Sequence, residues 1–268
     1  MNAALSTLTE AQRAIAARAL AEESSRRRHV VISLSGAHAY GFPSPDSDLD
    51  LKAVHLAPTR SLLGFPHTPP PAERLEILDG VEIDYSSNEL GGVLLGLIKG
   101  NGNYFERFLS GFTLETGPGF DALVPLVRDA LSTRVARHYH GFATQQREAW
   151  RQGGMTSVKK LLYVVRTTLT GRHLLLTSEL LTDVRVLAPR YGLDEVLELV
   201  ELKRRGERSE VTGLAERWLP RVDALFAALA QAEVDSVLPP EPRNARALED
   251  ALVALREQSS SQLRAETG

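Results

Sequence analysis

Two aspartates one residue apart, Asp48 and Asp50, stand at the entrance to an apolar segment and are the side chains best spaced for chemistry. Residues i and i+2 of an extended strand project from one face. The spacing therefore predicts two carboxylates aimed at one spot, with Leu49 and Leu51 turned towards a core. Upstream, the apolar run Val30 to Leu34 leads into Ser35-Gly36-Ala37-His38-Ala39-Tyr40-Gly41, and a loop rich in Gly, Pro and Ser follows. Convergent carboxylates beside a glycine turn are what divalent-cation phosphoryl transfer requires, because hard cations take oxygen ligands. The plainer reading is an ordinary turn at Gly36 and Gly41 with Asp46, Asp48 and Asp50 as solvated loop charges, since Asp is a common turn former.

The spacing is more specific than its parts. Gly36-Ala37 is followed, after ten intervening residues, by Asp48-Leu49-Asp50. Strand, glycine turn and spacing together resemble the DNA-polymerase-β nucleotidyltransferase superfamily. The words Ala39-Tyr40-Gly41 and Ser47-Asp48-Leu49-Asp50 are most similar to its bacterial branch of RNA-repair type, over roughly residues 30–110. The resemblance implies a palm-like domain and two Mg²⁺ ions, Mn²⁺ being the alternative, held by Asp48 and Asp50. It also implies an NTP such as ATP cradled by Gly36, the Ala37 backbone and Ser47. The family usually has Ser where this chain has Ala37; the backbone N–H groups remain, and Ser35 is the hydroxyl available to substitute.

Two-metal transfer uses a third acid to serve the attacking hydroxyl. Glu82 and Asp84 alternate onto one strand face, and the family's third acid maps onto Asp84, with Glu82 the competitor. Further along, Lys159, Tyr163 and Arg166 fall at i, i+4 and i+7, hence on one helix face. Cations and an aromatic ring there suit donor phosphates and base stacking, although a solvated amphipathic face has the same pattern. Lys160 adds an adjacent cation. Between Arg128 and Arg172 nine basic residues face only Asp129 and Glu148, a balance that suits a triphosphate or nucleic-acid backbone. His38 and Tyr40 lie inside the glycine loop, where His38 reads as structural.

The elements that must position these residues follow from pattern. A helix is predicted over 9–28, strands over Val30–Leu34 and Asp48–Leu56, and a helical turn from Pro58. Pro66, Pro69, Pro70 and Pro71 make 64–72 an exposed loop. Asp79-Gly80 between Leu75–Ile77 and Val81–Tyr85 predicts a two-residue hairpin. Asn88 then reads as the N-cap of a helix to Lys99, and Tyr104–Leu109 as a short helix. Beyond Gly117-Pro118-Gly119 the periodicity predicts helices over about 119–131, 134–151, 155–170, 193–206, 210–233 and 244–256, with a frayed tail from Ser259. Strands first and helices after define an α+β fold: a small mixed sheet in a catalytic domain, 1–117, then a helical domain, 118–268, for nucleotide and acceptor.

Composition bounds the rest. The 268 residues suffice for a sizeable core, and a net charge of −3 excludes a bulk polycation. With no cysteine there are no disulfides, thiolate ligands or cysteine nucleophiles. No apolar run approaches the ~20 residues of a membrane helix, and the N-terminal segment has no apolar signal core, so a cytoplasmic protein is expected. The sequence thus points to a metal-dependent nucleotidyltransferase moving an NMP from an NTP to a hydroxyl, with an RNA end as the acceptor that the resemblance suggests. The other readings are a catalytically silent nucleotide- or RNA-binding module, and an antitoxin-like nucleotidyltransferase that modifies a partner protein.

Overall fold

The computed structural model describes residues 3–63, 72–206 and 211–266. In chain order its elements are α1 (Ala3–Ser6), α2 (Glu10–Arg26), β1 (Arg28–Leu34), α3 (Gly36–Tyr40), β2 (Leu49–Leu56), α4 (Thr59–Leu63), β3 (Ala72–Leu78), β4 (Val81–Glu89), α5 (Leu90–Ile98), α6 (Gly102–Leu109) and β5 (Thr113–Thr116). Helices follow: α7 (Phe120–Asp129), α8 (Val135–Gln152), α9 (Val158–Thr177), α10 (Val184–Arg190), α11 (Val196–Arg204), α12 (Leu214–Val234) and α13 (Ala245–Glu266). The α+β order expected from the pattern is therefore observed.

The five strands lie in the order β3-β4-β2-β1-β5, and β2–β4 is the parallel pair in an otherwise antiparallel sheet. The β3–β4 hairpin closes as expected at Asp79 (φ 48°) and Gly80 (φ 82°). Positive φ at both central residues is the type I′ geometry whose twist matches paired strands. Thr9 caps α2 and exchanges hydrogen bonds with Gln12, a capping box that fixes where the first long helix starts.

Alternation along β2 sends Leu49, Leu51 and Ala53 into an apolar layer with Ile15, Ala16 and Ala19 of α2, while Val54 and Leu56 enter a second cluster on the other face. That second cluster joins Val31, Leu90 and Phe105 to Leu123, Val127, Leu174 and Leu229. A third gathers Ala37, Tyr40 and Phe42 of the glycine segment with Leu161, Val165 and Trp218. Two of the three clusters thus draw on both sides of residue 117.

Several elements differ from the pattern reading. The segment after Gly36 is a short helix, α3, rather than open loop, because Ala37, Ala39 and Tyr40 are buried and turn inward together. Asn88 is not a helix cap. Pairing of Lys52–His55 with Ser86–Glu89 prolongs β4 through it, and Glu89 becomes the N-cap, accepting from the N–H groups of Gly91 and Gly92. The short strand β5 and helix α10 carry no strong local period and were not expected. Helix α13 continues to Glu266, past the point where the polar sequence suggested fraying. The proline-rich stretch expected as a loop lies outside the described residues, except Ala72, which opens β3.

Candidate active site

Asp50 of β2 stands opposite Asp84 of β4 in the parallel register. Asp48 ends the loop immediately before β2. The turn out of β1 closes directly on Asp50: the Ser35 N–H donates to the Asp50 carbonyl oxygen at 2.8 Å. Gly36 has φ +60°, and a Cβ there would lie 1.7 Å from Asp50 Oδ2. Conformation and space both require glycine, so the Gly36 backbone lies against a carboxylate.

The electrostatics match that crowding. Burial, chiefly, and then the charges of Asp48 and Asp84 push the Asp50 carboxyl up to about 7, while Lys52 and Lys159 act in the opposite sense. Lys52, two residues beyond Asp50 and on the same face, places Nζ 2.9 Å from Asp84 Oδ1 and 3.9 Å from Asp50 Oδ1. As arranged, the acids meet this ammonium rather than one another. Among the described residues no group of three or more His, Asp or Glu side chains is gathered to hold a metal ion.

A cleft of about 260 Å³ opens over this sheet face, lined by Ser35, Gly36, Tyr40, Asp50, Lys52, Glu106, Arg107 and Tyr163 among others. Of the residues singled out from sequence, Ser35, Gly36, Tyr40, Asp50 and Tyr163 line it. Tyr163 packs edge-on against Tyr40 (5.8 Å) and Phe42 (5.4 Å), and burial, followed by Asp50, raises its phenol well above the usual range. Glu82 is exposed.

Other predicted residues lie beneath or beside the cleft. The Ala37 side chain is buried in the apolar cluster of α9. Ser47 is buried, its Oγ accepting from the Ser44 N–H (3.0 Å) and meeting Lys203 Nζ at 3.5 Å, while Gln12 Nε2 holds its carbonyl oxygen (3.0 Å). Arg166 does not share an exposed face with Lys159. It is fully buried, bonded to Glu106 Oε2 at 2.7 Å, with its Cζ 3.4 Å from the Tyr40 ring centroid. His38 is buried, its ring nitrogens near Gln12 Nε2 (3.4 Å) and the Thr7 carbonyl (3.2 Å).

The basic run is also not a face of one sign. Acids remote in sequence reach Arg134 (Glu241, 2.6 Å), Arg147 (Asp223, 2.6 Å) and Arg166. Sequence reasoning missed Lys52, Glu106 and Arg107. Strand alternation from Asp50 was the signal that could have found Lys52. The other two sit in an eight-residue helix whose local sequence carries no chemical motif.

A glycine-led turn thus closes on an aspartate of a mixed sheet and faces a helical wall across the cleft. The chain belongs to the RNA repair pathway DNA polymerase beta family (RlaP), whose pattern matches residues 12–254. The uncharacterized protein MJ0002 of Methanocaldococcus jannaschii is 25% identical over 156 residues, which are 58% of this chain and 63% of that protein. The match thus spans less than two thirds of that relative's length. A nucleotidyltransferase-like protein from Exiguobacterium sibiricum, known from its crystal structure, is similar with a TM-score of 0.32 and 13% identity over 80% of this chain and 72% of that one. No helix among the described residues is long and apolar enough to cross a membrane.

Proposed function

We propose that this chain is a divalent-cation-dependent nucleotidyltransferase, moving a nucleoside monophosphate from an NTP to a hydroxyl on an RNA end and releasing pyrophosphate. The observation that carries the reading is Asp50 in register beside Asp84 on adjoining parallel strands, with Gly36 closed on the Asp50 carboxylate. The donor set fits Mg²⁺ or Mn²⁺: Asp48, Asp50 and Asp84 offer only hard oxygens, and the Gly36 cradle leaves the Asp50 carboxylate unobstructed by a Cβ. In this reading Asp48 and Asp50 would hold the ions, and Asp84 would complete the set that serves the attacking hydroxyl. When bound, the ions neutralise triphosphate charge and make that hydroxyl more acidic.

The chain's own groups then have defined tasks. Lys52 orients Asp84 through its 2.9 Å contact. The Gly36 and Ala37 backbone takes the triphosphate with Ser35, whose Oγ already bonds the Tyr40 hydroxyl at 3.1 Å inside the cleft. Lys159 supplies positive potential near Asp50, and Tyr163 an aromatic wall. Ser47 and Arg166 act from beneath, holding the loop and Glu106. Residues 1–117 carry the acids, and 118–268 form the opposing wall.

Incubating the protein with each α-labelled NTP, Mg²⁺ and total RNA tests the reading. Label is expected in RNA, and Asp48→Asn with Asp50→Asn should abolish both transfer and Mg²⁺ or Mn²⁺ binding by calorimetry. Label in a protein band would favour a partner-modifying enzyme. No label anywhere would leave the silent binding module.

A further inference from the structure

Arg107 is a half-buried guanidinium in the cleft wall that meets no carboxylate among the described residues. Its Nη1 donates to the Ala53 carbonyl oxygen (2.8 Å) and to Asn88 Oδ1 (2.7 Å), and its Cζ stands 5.0 Å from the Tyr104 ring centroid. Every one of those partners is neutral. The adjacent acid, Glu106, is committed elsewhere: it takes Arg166 Nη2 at 2.7 Å and the hydroxyls of Tyr40 (3.2 Å) and Tyr139 (3.3 Å). Burial pulls the Arg107 group down to about 10, which leaves it charged at neutral pH.

An enclosed cation without a counter-ion is costly, and chains place one where an anion is to arrive. The surroundings suit an oxyanion, since hydroxyl-bearing Ser33, Ser35, Ser86 and Ser110 line the same cleft. Ala53, to which the guanidinium is pinned, lies three residues along β2 from Asp50, about 10 Å at the rise of a strand. The guanidinium is thus anchored further along the cleft than the Asp50 carboxylate.

Resting on the nucleotidyltransferase reading, we infer that Arg107 binds a second phosphate oxyanion, one removed from the reacting phosphorus, brought by the NTP or by the nucleic-acid acceptor. The bidentate fork of arginine suits such a group, and with Nη1 already fixed the rest of the fork is held ready.

The test uses Asn88→Asp, which sets a carboxylate against Arg107 and supplies the missing counter-ion, together with Arg107→Met. ATP and a 5′-phosphorylated RNA oligonucleotide are titrated calorimetrically into each protein, and melting is followed in parallel. Asn88→Asp is expected to melt higher than wild type and yet to bind one of the two probes about tenfold more weakly or worse. Loss confined to ATP assigns the phosphate to the donor, and loss confined to the oligonucleotide assigns it to the acceptor. A purely structural clamp would give the higher melting temperature with both affinities unchanged, which overturns the inference and leaves the nucleotidyltransferase reading standing. If wild type binds neither probe, both fall. Should Arg107→Met fail to fold, Asn88→Asp decides alone.

Discussion

Asp50 is a carboxylate whose own surroundings oppose its ionisation. Its group is moved from 3.8 to about 7, first by burial and then by Asp48 and Asp84. Across that window the unfolded chain has released a proton that the folded chain retains, so stability falls as pH rises through it and stays reduced above it. Asp50→Asn should therefore stabilise the metal-free protein at pH 8 by about 1–3 kcal/mol, an advantage that disappears by about pH 4, while abolishing transfer. Thermal melts at the two pH values check this, and a variant that melts lower than wild type at pH 8 would refute it. The same scale shows what sequence could reveal. Asp48, Asp50 and Gly36 were legible because alternation and turn geometry are local. Ala37, Ser47 and Arg166 were not, since their surroundings come from afar: Lys203 reaches Ser47 across 156 residues, and Glu106 meets Arg166 across 60. No local pattern records that a hydroxyl or guanidinium will be enclosed.

Among the elements, the hairpin at Asp79-Gly80 and the long helices were readable from turn chemistry and period, whereas β4 overran its expected end because β2 offered it a partner. The sheet also hides a titration. His29 of β1 faces His55 of β2 across the ladder, its Nε2 is 2.7 Å from the Tyr85 hydroxyl, and Ser24 Oγ lies 3.3 Å from Nδ1. Burial, then His55 and Arg27, pull His29 from 6.5 to about 4, with Glu23 opposing, and burial likewise lowers His55. As pH falls from 6.5 the unfolded chain takes up protons that the folded sheet refuses until about 4. Stability present above that window is thus lost within it. Urea midpoints measured between pH 7 and pH 4 should decline in wild type and decline less steeply in His29→Gln. Equal slopes in the two proteins would place the acid sensitivity elsewhere.

At the scale of the molecule, the change from strands to helices near residue 117 reads in sequence as a domain boundary, yet the apolar clusters pass through it. Tyr40 and Phe42 pack among residues of α9 and α12, and Val31, Leu90 and Phe105 share a cluster with residues of α7, α9 and α12. Polar bonds cross as well: Thr182 Oγ1 donates to the Ala39 carbonyl at 2.8 Å, and Arg166 of α9 neutralises Glu106 of α6. Removing one member of a buried ion pair costs about 3–5 kcal/mol, because a charge is left enclosed without its partner. That alone is a large share of the roughly 5–15 kcal/mol by which a domain is stable, before the exposed apolar surface is counted. The half that carries the acids is therefore not independent of the helical half in folding. A fragment of residues 1–117 should lack a cooperative thermal transition and near-ultraviolet circular dichroism, while the full chain should unfold in a single calorimetric step. Two resolved transitions in the full chain, or a fragment that melts cooperatively, would mean that the halves fold separately and that the shared clusters form only when they dock.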